Sequence, residues 1–278
     1  MRFGKPVLDA VARTEFQTGL WWGLAGLAIS VGLGIRSAWR RRGGPAPVAG
    51  LAIAAAAAIG LHATHGLPSE LRLGLLLLAA AGVVTDLVGR PALIGGLLAV
   101  PGALVIGRVV PATPAWSETL VVVTIVAGGA CVAAFDCRHG RRGLGPPLFA
   151  LAVIGLYFTV PDTEHALVLL GAALPLALSS WPWPLARLGS GGAYAAVGLL
   201  AWTAATDGSG RPGAIIGAVA SLGLLVAEPI GRLLRRSWAR PGPRLSPIDR
   251  LPNNWLTPLG VGAVQLGVVY LTSRVAGL

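Results

Sequence analysis

The chain has 278 residues, of which 54% are hydrophobic and only 12% are charged. A soluble domain carries about 25% charged residues, because its surface faces water. The apolar residues also form runs long enough to cross a hydrocarbon core of roughly 30 Å as helices. The composition therefore excludes an ordinary soluble protein and predicts an all-α fold, a polytopic membrane helix bundle whose first partner is the lipid bilayer.

The net charge is +11, which in a soluble protein would suggest a nucleic-acid partner. Here the arginines lie mostly in short segments between apolar runs, where they are typical of topology signals. We therefore expect no nucleic-acid binding. Nearly all basic residues are arginine rather than lysine, which is typical of a GC-rich bacterial genome, so we expect a bacterial cytoplasmic (inner) membrane protein.

The hydropathy pattern predicts about ten transmembrane helices and no separate soluble domain. Residues 1–17 are interpreted as an N-terminal interfacial segment or a frayed terminus, 18–135 as a first five-helix half, and 143–275 as a second. The connections that follow odd-numbered spans hold most of the arginines, so the positive-inside rule places them in the cytoplasm and both termini outside. The predicted spans are 18–36, 47–65, 70–88, 91–110, 116–135, 143–160, 163–180, 188–205, 212–234 and 255–275.

A short charged frame occurs twice in the chain. Thr85–Pro91 reads TDLVGRP and Thr206–Pro212 reads TDGSGRP, and the alignment extends without a gap over 67–105 and 188–226. The copies are five spans apart, an odd number, so they fall on opposite sides of the membrane. This spacing predicts a 5+5 inverted repeat, the symmetry by which secondary transporters alternate access to a central site. Aligned pairs outside the frame include Leu67/Leu188, Ser69/Ser190, Gly96/Gly217 and Gly102/Gly223.

The frame also has a local interpretation as a turn between two helices. Proline suits the first turn of a helix, and aspartate can accept bonds from the free N–H groups that open the next helix. Arg90 and Arg211 can reach headgroup phosphates.

The ten-span, five-plus-five plan is similar to the drug/metabolite transporter superfamily. In that family an acid at a helix turn is followed by glycines on the next span, as Asp86 is followed by Gly95 and Gly102. The resemblance covers two hairpins; it has Asp where the family usually has Glu, and it places the hairpin one span early in each half. It implies a transporter with the acid near the substrate or coupling site.

Acidic residues inside apolar spans are candidates for function, because they are costly there unless paired or hydrated. Glu228 is the strongest candidate, since Pro229 follows it and breaks a backbone hydrogen bond of the helix. The alternative is an ion pair between Glu228 and Arg232 at i, i+4. The candidates for substrate contact or ion coupling are Glu228, Asp86, Asp207, Arg90 and Arg211.

A metal site is a weaker hypothesis, because His-x-x-His alone is a common pattern. His62 and His65 lie near the outer end of the second span, and PDTEH supplies further zinc-type ligands on the same side. Interfacial histidines and a helix start capped by Asp162 or Thr163 explain the same residues. We therefore expect no metal and no cofactor. The weak metal candidates are His62, His65, Asp162, Glu164 and His165.

The leading hypothesis is a transporter or flippase that moves a small or lipid-linked solute by alternating access. The second is a membrane enzyme acting on a lipid or polyprenyl-phosphate substrate, which needs an acid, an arginine and a histidine together at one membrane face. The third is a non-catalytic subunit or scaffold, compatible with membrane-protein partners or a homo-oligomer. The directions in which Asp86, Asp207 and Glu228 point would discriminate among them. Acids that face a hydrated cavity near the membrane midplane support transport, whereas acids that point to loops or headgroups, with no cavity between the halves, contradict it.

Overall fold

A computed structural model of the chain describes residues 9–39, 47–88, 93–110, 116–180, 185–209, 212–238, 248 and 256–276. Over these ranges the protein is helical, and the remaining described residues connect the helices. Helix α5 contains a π-helical turn, Thr124–Gly128, between Trp116–Val123 and Gly129–His139. The other helices are α1 (Thr14–Trp39), α2 (Ala49–His65), α3 (Ser69–Val88), α4 (Leu93–Gly107), α6 (Gly145–Thr159), α7 (Glu164–Leu178), α8 (Gly189–Asp207), α9 (Pro212–Ser221), α10 (Leu224–Trp238) and α11 (Leu256–Ala276).

Several of these helices are long and apolar enough to cross a membrane. They are Thr14–Arg36, Ser69–Val88 and Ser117–His139, and the bent pair Gly213–Ser221 and Leu224–Leu234 is a fourth if the pair counts as one span. The prediction of an all-helical protein with membrane-spanning segments is therefore confirmed in this coarse form.

Helix α8 forms the centre of the bundle. Nearly all of its side chains are buried, and α2, α3 and α5 pack around it. Its glycines allow close backbone contact, as small residues do between membrane helices. A Cβ atom on Gly192 would lie 2.4 Å from the Cα of Gly50 in α2, and one on Gly82 of α3 would lie 2.3 Å from the Cα of Gly191.

This contact makes Gly82 sensitive to the smallest substitution. We expect Gly82→Ala to lower the thermal unfolding midpoint of the detergent-solubilised protein, at a cost of about 3 kcal/mol, because the new methyl group meets backbone that cannot move aside. Gly32→Ala is the matched control, since a Cβ there meets nothing within 4 Å. Equal midpoints for the two variants would contradict the close packing of α3 on α8.

The connections that the sequence assigns to the cytoplasm meet at one end of the bundle. The Ala49 N–H at the start of α2 donates to the carbonyl oxygen of Arg187, just before α8, at 3.0 Å. Arg142, which follows α5, donates through Nη1 to the carbonyl oxygen of Ile248 at 2.6 Å. Asp136, in the last turn of α5, also lies here, and we call this the Asp136 end.

Connections assigned to the other side of the membrane meet at the opposite end. His65, the last residue of α2, lies 3.7 Å from Glu164, the first residue of α7, between Nδ1 and Oε2. The Asp162 N–H donates to the carbonyl oxygen of Asp207, the last residue of α8, at 3.2 Å. We call this the Asp207 end. Helices α2, α3, α7 and α8 therefore run in alternating directions between the two ends.

The described part of the N-terminal segment also lies at the Asp207 end. Residues 9–12 are helical, and Arg13 Nη1 donates to Thr163 Oγ1 at 3.4 Å. Phe16 is buried against Leu167 of α7. The segment predicted to be interfacial thus contacts the start of α7.

Candidate functional site at a broken helix

The chain between Pro212 and Trp238 forms two helices, α9 and α10, that are bent by 77° relative to each other. The break falls at Leu222 and at Gly223, whose φ of +41° is a conformation that favours glycine. Ser221 packs on Gly155, in the interior of α6, so the break lies within the bundle. Backbone groups at such a break need partners, because hydrocarbon provides none.

Gln265 of α11 supplies these partners. Its Oε1 accepts the Leu224 N–H at 2.9 Å, and its Nε2 donates to the carbonyl oxygen of Ser221. The side chain is fully buried. The sequence analysis missed Gln265; a search for every polar residue in the apolar spans, rather than for charged ones alone, would have found it.

Glu228 lies in the second turn of α10 and is buried at 8% exposure. Arg232 Nε donates to its Oε1, so the i, i+4 ion pair considered from the sequence is present. The Oε1 atom also lies 3.5 Å from Nε2 of His139, the last residue of α5. The carboxylate is thus held between a guanidinium on its own helix and an imidazole on a neighbouring one.

An open cleft of about 390 Å³ lies beside this group, between α5 and α10. Its lining combines an acid, two arginines and a thiol with apolar side chains. The lining residues are Ala134, Cys137, Arg138, Glu228, Pro229, Arg232 and Leu233. The cleft can therefore offer both a negative and a positive group to a ligand whose remaining surface is apolar.

Asp86, at the end of α3, does not line this cleft. Its Oδ2 accepts the Ser190 N–H at 2.9 Å and its Oδ1 accepts the Ser190 hydroxyl at 2.6 Å. Among the described residues, Asp86 therefore caps the start of α8. The sequence had suggested instead that it would cap the helix that follows it. Helix α8 packs beside the end of α3 and presents free N–H groups there, and the sequence does not reveal this neighbour.

Asp136 binds the same helix start. Its carboxylate is buried and accepts the Leu188 N–H at 3.1 Å and the Gly189 N–H at 2.9 Å. Arg187 Nη1 lies 3.8 Å from its Oδ2. Two aspartates on different helices thus hold the N-terminus of α8, where the helix dipole favours negative charge.

Asp207 occupies the opposite end of α8 and is almost fully buried. Its Oδ2 accepts the Ala166 N–H at 2.9 Å, and its Oδ1 lies 2.5 Å from His165 Nδ1. Asp207 therefore contacts the start of α7, not α9. Arg90 and Arg211, the other candidates from the repeated frame, lie outside the described residues.

The histidines and acids considered for a metal lie at the Asp207 end. The rings of His65 and His165 are 4.7 Å apart, so the two connections that carry them do meet. His62 Nδ1 instead accepts the Leu67 N–H at 3.3 Å, and Asp162 Oδ1 accepts the Glu164 N–H at 3.4 Å. Within the part of the chain that the structure describes, no three such side chains are arranged to hold a metal ion.

Among the three acids singled out from the sequence, Glu228 lies beside both a cleft and a helix break in the part of the chain that the structure describes. Asp86 and Asp207 act as acceptors at helix starts, which is a structural or conformational role. Neither a protein-family model nor a curated protein matches this chain.

Proposed function

We propose that the protein is a transporter or flippase of the bacterial inner membrane that moves a small or lipid-linked solute by alternating access. In this proposal the chain crosses the membrane ten times, both termini lie outside, and residues 18–135 and 143–275 form two halves of an inverted repeat. In this proposal the protein moves its solute across the membrane rather than changing it chemically.

The observation that carries the proposal is the broken helix beside Glu228. Secondary transporters place substrate and coupling ions at interrupted helices, because the interruption frees backbone groups and lets the two segments move separately. Here the break between α9 and α10 lies within the bundle, closed by Gln265. Glu228 follows one turn later and faces a cleft that opens from the protein.

The position of the repeated frame supports the two-fold plan. Both frames begin in the last turn of a helix, Thr85 and Asp86 in α3 and Thr206 and Asp207 in α8, and α3 and α8 run antiparallel. The bent pair also joins the two ends, since Asp207 precedes it and Ile248 follows it at the Asp136 end. This course favours a broken span over a loop that returns to its own side.

The chemistry of the cleft suggests the class of solute. Arg138 and Arg232 are suited to a phosphate or carboxylate group, while Ala134 and Leu233 suit an apolar portion. An amphiphile with an anionic head, or a small organic anion, fits this lining. During the cycle the anionic group would take Arg232 and His139 as its partners, and Glu228 would take up a proton in their place.

We expect Glu228→Gln to reduce transport by about tenfold, because the amide cannot carry the charge that holds His139 and Arg232. The purified protein would be placed in liposomes and tested with a fluorescent phosphatidylglycerol, whose transfer between leaflets is followed by dithionite quenching. Small solutes would be tested by incubating the vesicles with a bacterial metabolite extract. The solutes that accumulate inside the vesicles would then be identified and quantified by mass spectrometry. Glu118→Gln is the control, because Glu118 is an exposed acid in the first turn of α5, far from the cleft.

Transport equal to that of empty liposomes in both assays would contradict the proposal and favour a scaffold. Equal transport by wild type and Glu228→Gln would show that Glu228 has no role in the transport mechanism.

A membrane enzyme is the second candidate, because Glu228, Arg232 and His139 place an acid, an arginine and a histidine together at the Asp136 end. Such a group could bind a phosphate and transfer a proton to it. The same mass spectra distinguish the two functions. An enzyme changes the mass of its substrate, whereas a transporter changes only the side on which the solute is found.

A further inference from the structure

Helices α3 and α8 form an antiparallel pair at the centre of the protein. Gly82 packs on Gly191, and Gly198 packs on Leu78, so residues farther along α8 meet residues farther back along α3. The repeat aligns α3 with α8 itself. A two-fold axis that relates the halves therefore passes between these two helices.

At the Asp136 end the pair is joined by side chains. Asp86 accepts both the backbone N–H and the hydroxyl of Ser190, and Ser190 is 3% exposed. We call this contact the Asp86–Ser190 latch.

The repeat specifies an equivalent pair at the other end. Asp86 aligns with Asp207, and Ser190 aligns with Ser69. Ser69 precedes Asp86 by 17 residues and Asp207 follows Ser190 by 17 residues, so both lie about 26 Å along their helices from the first latch. Symmetry thus places Ser69 opposite Asp207 just as it places Asp86 opposite Ser190.

The structure treats the two pairs differently. Ser69 is exposed, and its hydroxyl donates to Glu70 Oε2 at 3.0 Å. Asp207 is buried, and its carboxylate is directed to the start of α7, at Ala166 and His165. The latch is therefore closed at the Asp136 end, while its counterpart at the Asp207 end is not made.

We propose that the protein exchanges one latch for the other. In the second conformation Asp207 binds the N–H and hydroxyl of Ser69, and Asp86 releases Ser190. Each conformation then holds α3 to α8 at one end only. The two latches are the same aspartate–serine contact, so the latch bonds themselves are alike in the two conformations, which suits a cycling transporter whose states lie close in free energy. This inference rests on the proposed inverted repeat and alternating access.

The test uses serine variants because Ser69 does little in the conformation described. Cys131 and Cys137, the two native cysteines, are first changed to alanine, and Ser190→Cys is added as a reporter. In the described conformation residue 190 is buried, so a maleimide reaches it only through the second conformation. We expect Ser69→Ala to lower the labelling rate of this reporter about threefold if the two conformations are equally populated, and up to about fivefold if the second is rare, because one lost hydrogen bond changes the equilibrium about fivefold.

In this result, removal of the exposed Ser69 hydroxyl changes the labelling of residue 190, which lies about 26 Å away along the helix pair. Loss of folding cannot produce it, because unfolding raises labelling at every site. The reciprocal arm places the reporter at Ser69→Cys and adds Ser190→Ala. We expect labelling to fall as the second conformation gains population, by about threefold if the two conformations are equally populated. Ser30→Ala is the control in both arms, since Ser30 is buried in α1, away from α3 and α8.

Unchanged labelling of residue 190 in the Ser69→Ala variant overturns the exchange. The lipid-transfer and solute assays are run on wild type and on Ser69→Ala with the native cysteines in place, to separate the two proposals. If transport persists but labelling does not respond to Ser69→Ala, the transport function is supported and the exchange of latches is contradicted. If labelling responds in both arms but neither the fluorescent lipid nor any solute is transported, the conformational exchange is supported and the transport function is contradicted.

Discussion

Replacing Asp136 with alanine is expected to lower the thermal unfolding midpoint of the detergent-solubilised protein by about 10 °C. The carboxylate accepts two backbone N–H groups at the start of α8 and lies beside Arg187. Alanine would leave both N–H groups without their acceptor and the guanidinium without its partner, inside a buried junction. Loss of one member of a buried charged group costs about 3–5 kcal/mol, which for a protein of this size corresponds to a shift of this order.

Two further variants make the Asp136 measurement specific. Asp136→Asn keeps one carbonyl oxygen as acceptor, so its midpoint is expected to lie between those of wild type and Asp136→Ala. Asp9→Ala removes an exposed aspartate from the N-terminal segment and is expected to change the midpoint by less than about 2 °C. A wild-type midpoint for Asp136→Ala would show that the capping of α8 by α5 contributes nothing to stability.

Gln265→Leu is also expected to destabilise the detergent-solubilised protein. Leucine has nearly the volume of glutamine, so the bundle keeps its packing, but the Leu224 N–H and the Ser221 carbonyl lose the partners that Gln265 provides. Two unpaired backbone groups within the bundle cost about 2–4 kcal/mol together. The thermal midpoint should fall by about 5–10 °C.

Gln265→Glu distinguishes the lost hydrogen bonds from a general intolerance of change at this position. At a pH where the glutamate is protonated, its carbonyl oxygen can still accept the Leu224 N–H and its O–H can donate to the Ser221 carbonyl oxygen. It should therefore be destabilised less than the leucine variant. Gln17→Leu serves as the control, because Gln17 is exposed on α1. If Gln265→Leu and Gln17→Leu unfold at the same temperature, the break does not depend on Gln265.

The positions of the helices could be predicted because hydrophobic length and helix-ending residues are local properties. The described helices α2, α3 and α7 begin and end within a few residues of the corresponding predicted spans. The two repeated frames fall at the ends of α3 and α8. Glycine and proline after a polar pair end a helix whatever course the chain takes afterwards. The number of membrane crossings and the inverted repeat remain proposals.

The partners of the acids could not be predicted in the same way. Asp86 meets Ser190 across 104 residues and Asp207 meets Ala166 across 41, and a single sequence does not state which helices become neighbours. The Glu228–Arg232 pair was foreseen because it is local to one helix. Its contact with His139 was not, since that depends on how α10 crosses α5.

The helix break itself escaped prediction for a related reason. The sequence around Leu222 and Gly223 is apolar and reads as one continuous span, 212–234. Gly223 alone does not end a helix in a membrane protein, where glycines are common. The break becomes favourable only because Gln265 of α11 lies beside it and satisfies the freed groups.

The π-helical turn in α5 determines the directions in which the later side chains of this helix point. A π turn inserts one residue relative to an α-helix, and each residue of an α-helix advances the direction of a side chain by about 100°. Before the turn, Glu118 and Val122 pack beside Gly107 of α4; after it, Gly129 packs on Tyr194 of α8. The same rotation directs Asp136 to the start of α8 and leaves His139 beside Glu228. One residue in the middle of α5 thus aligns a structural carboxylate and a candidate functional imidazole with two different neighbours at once.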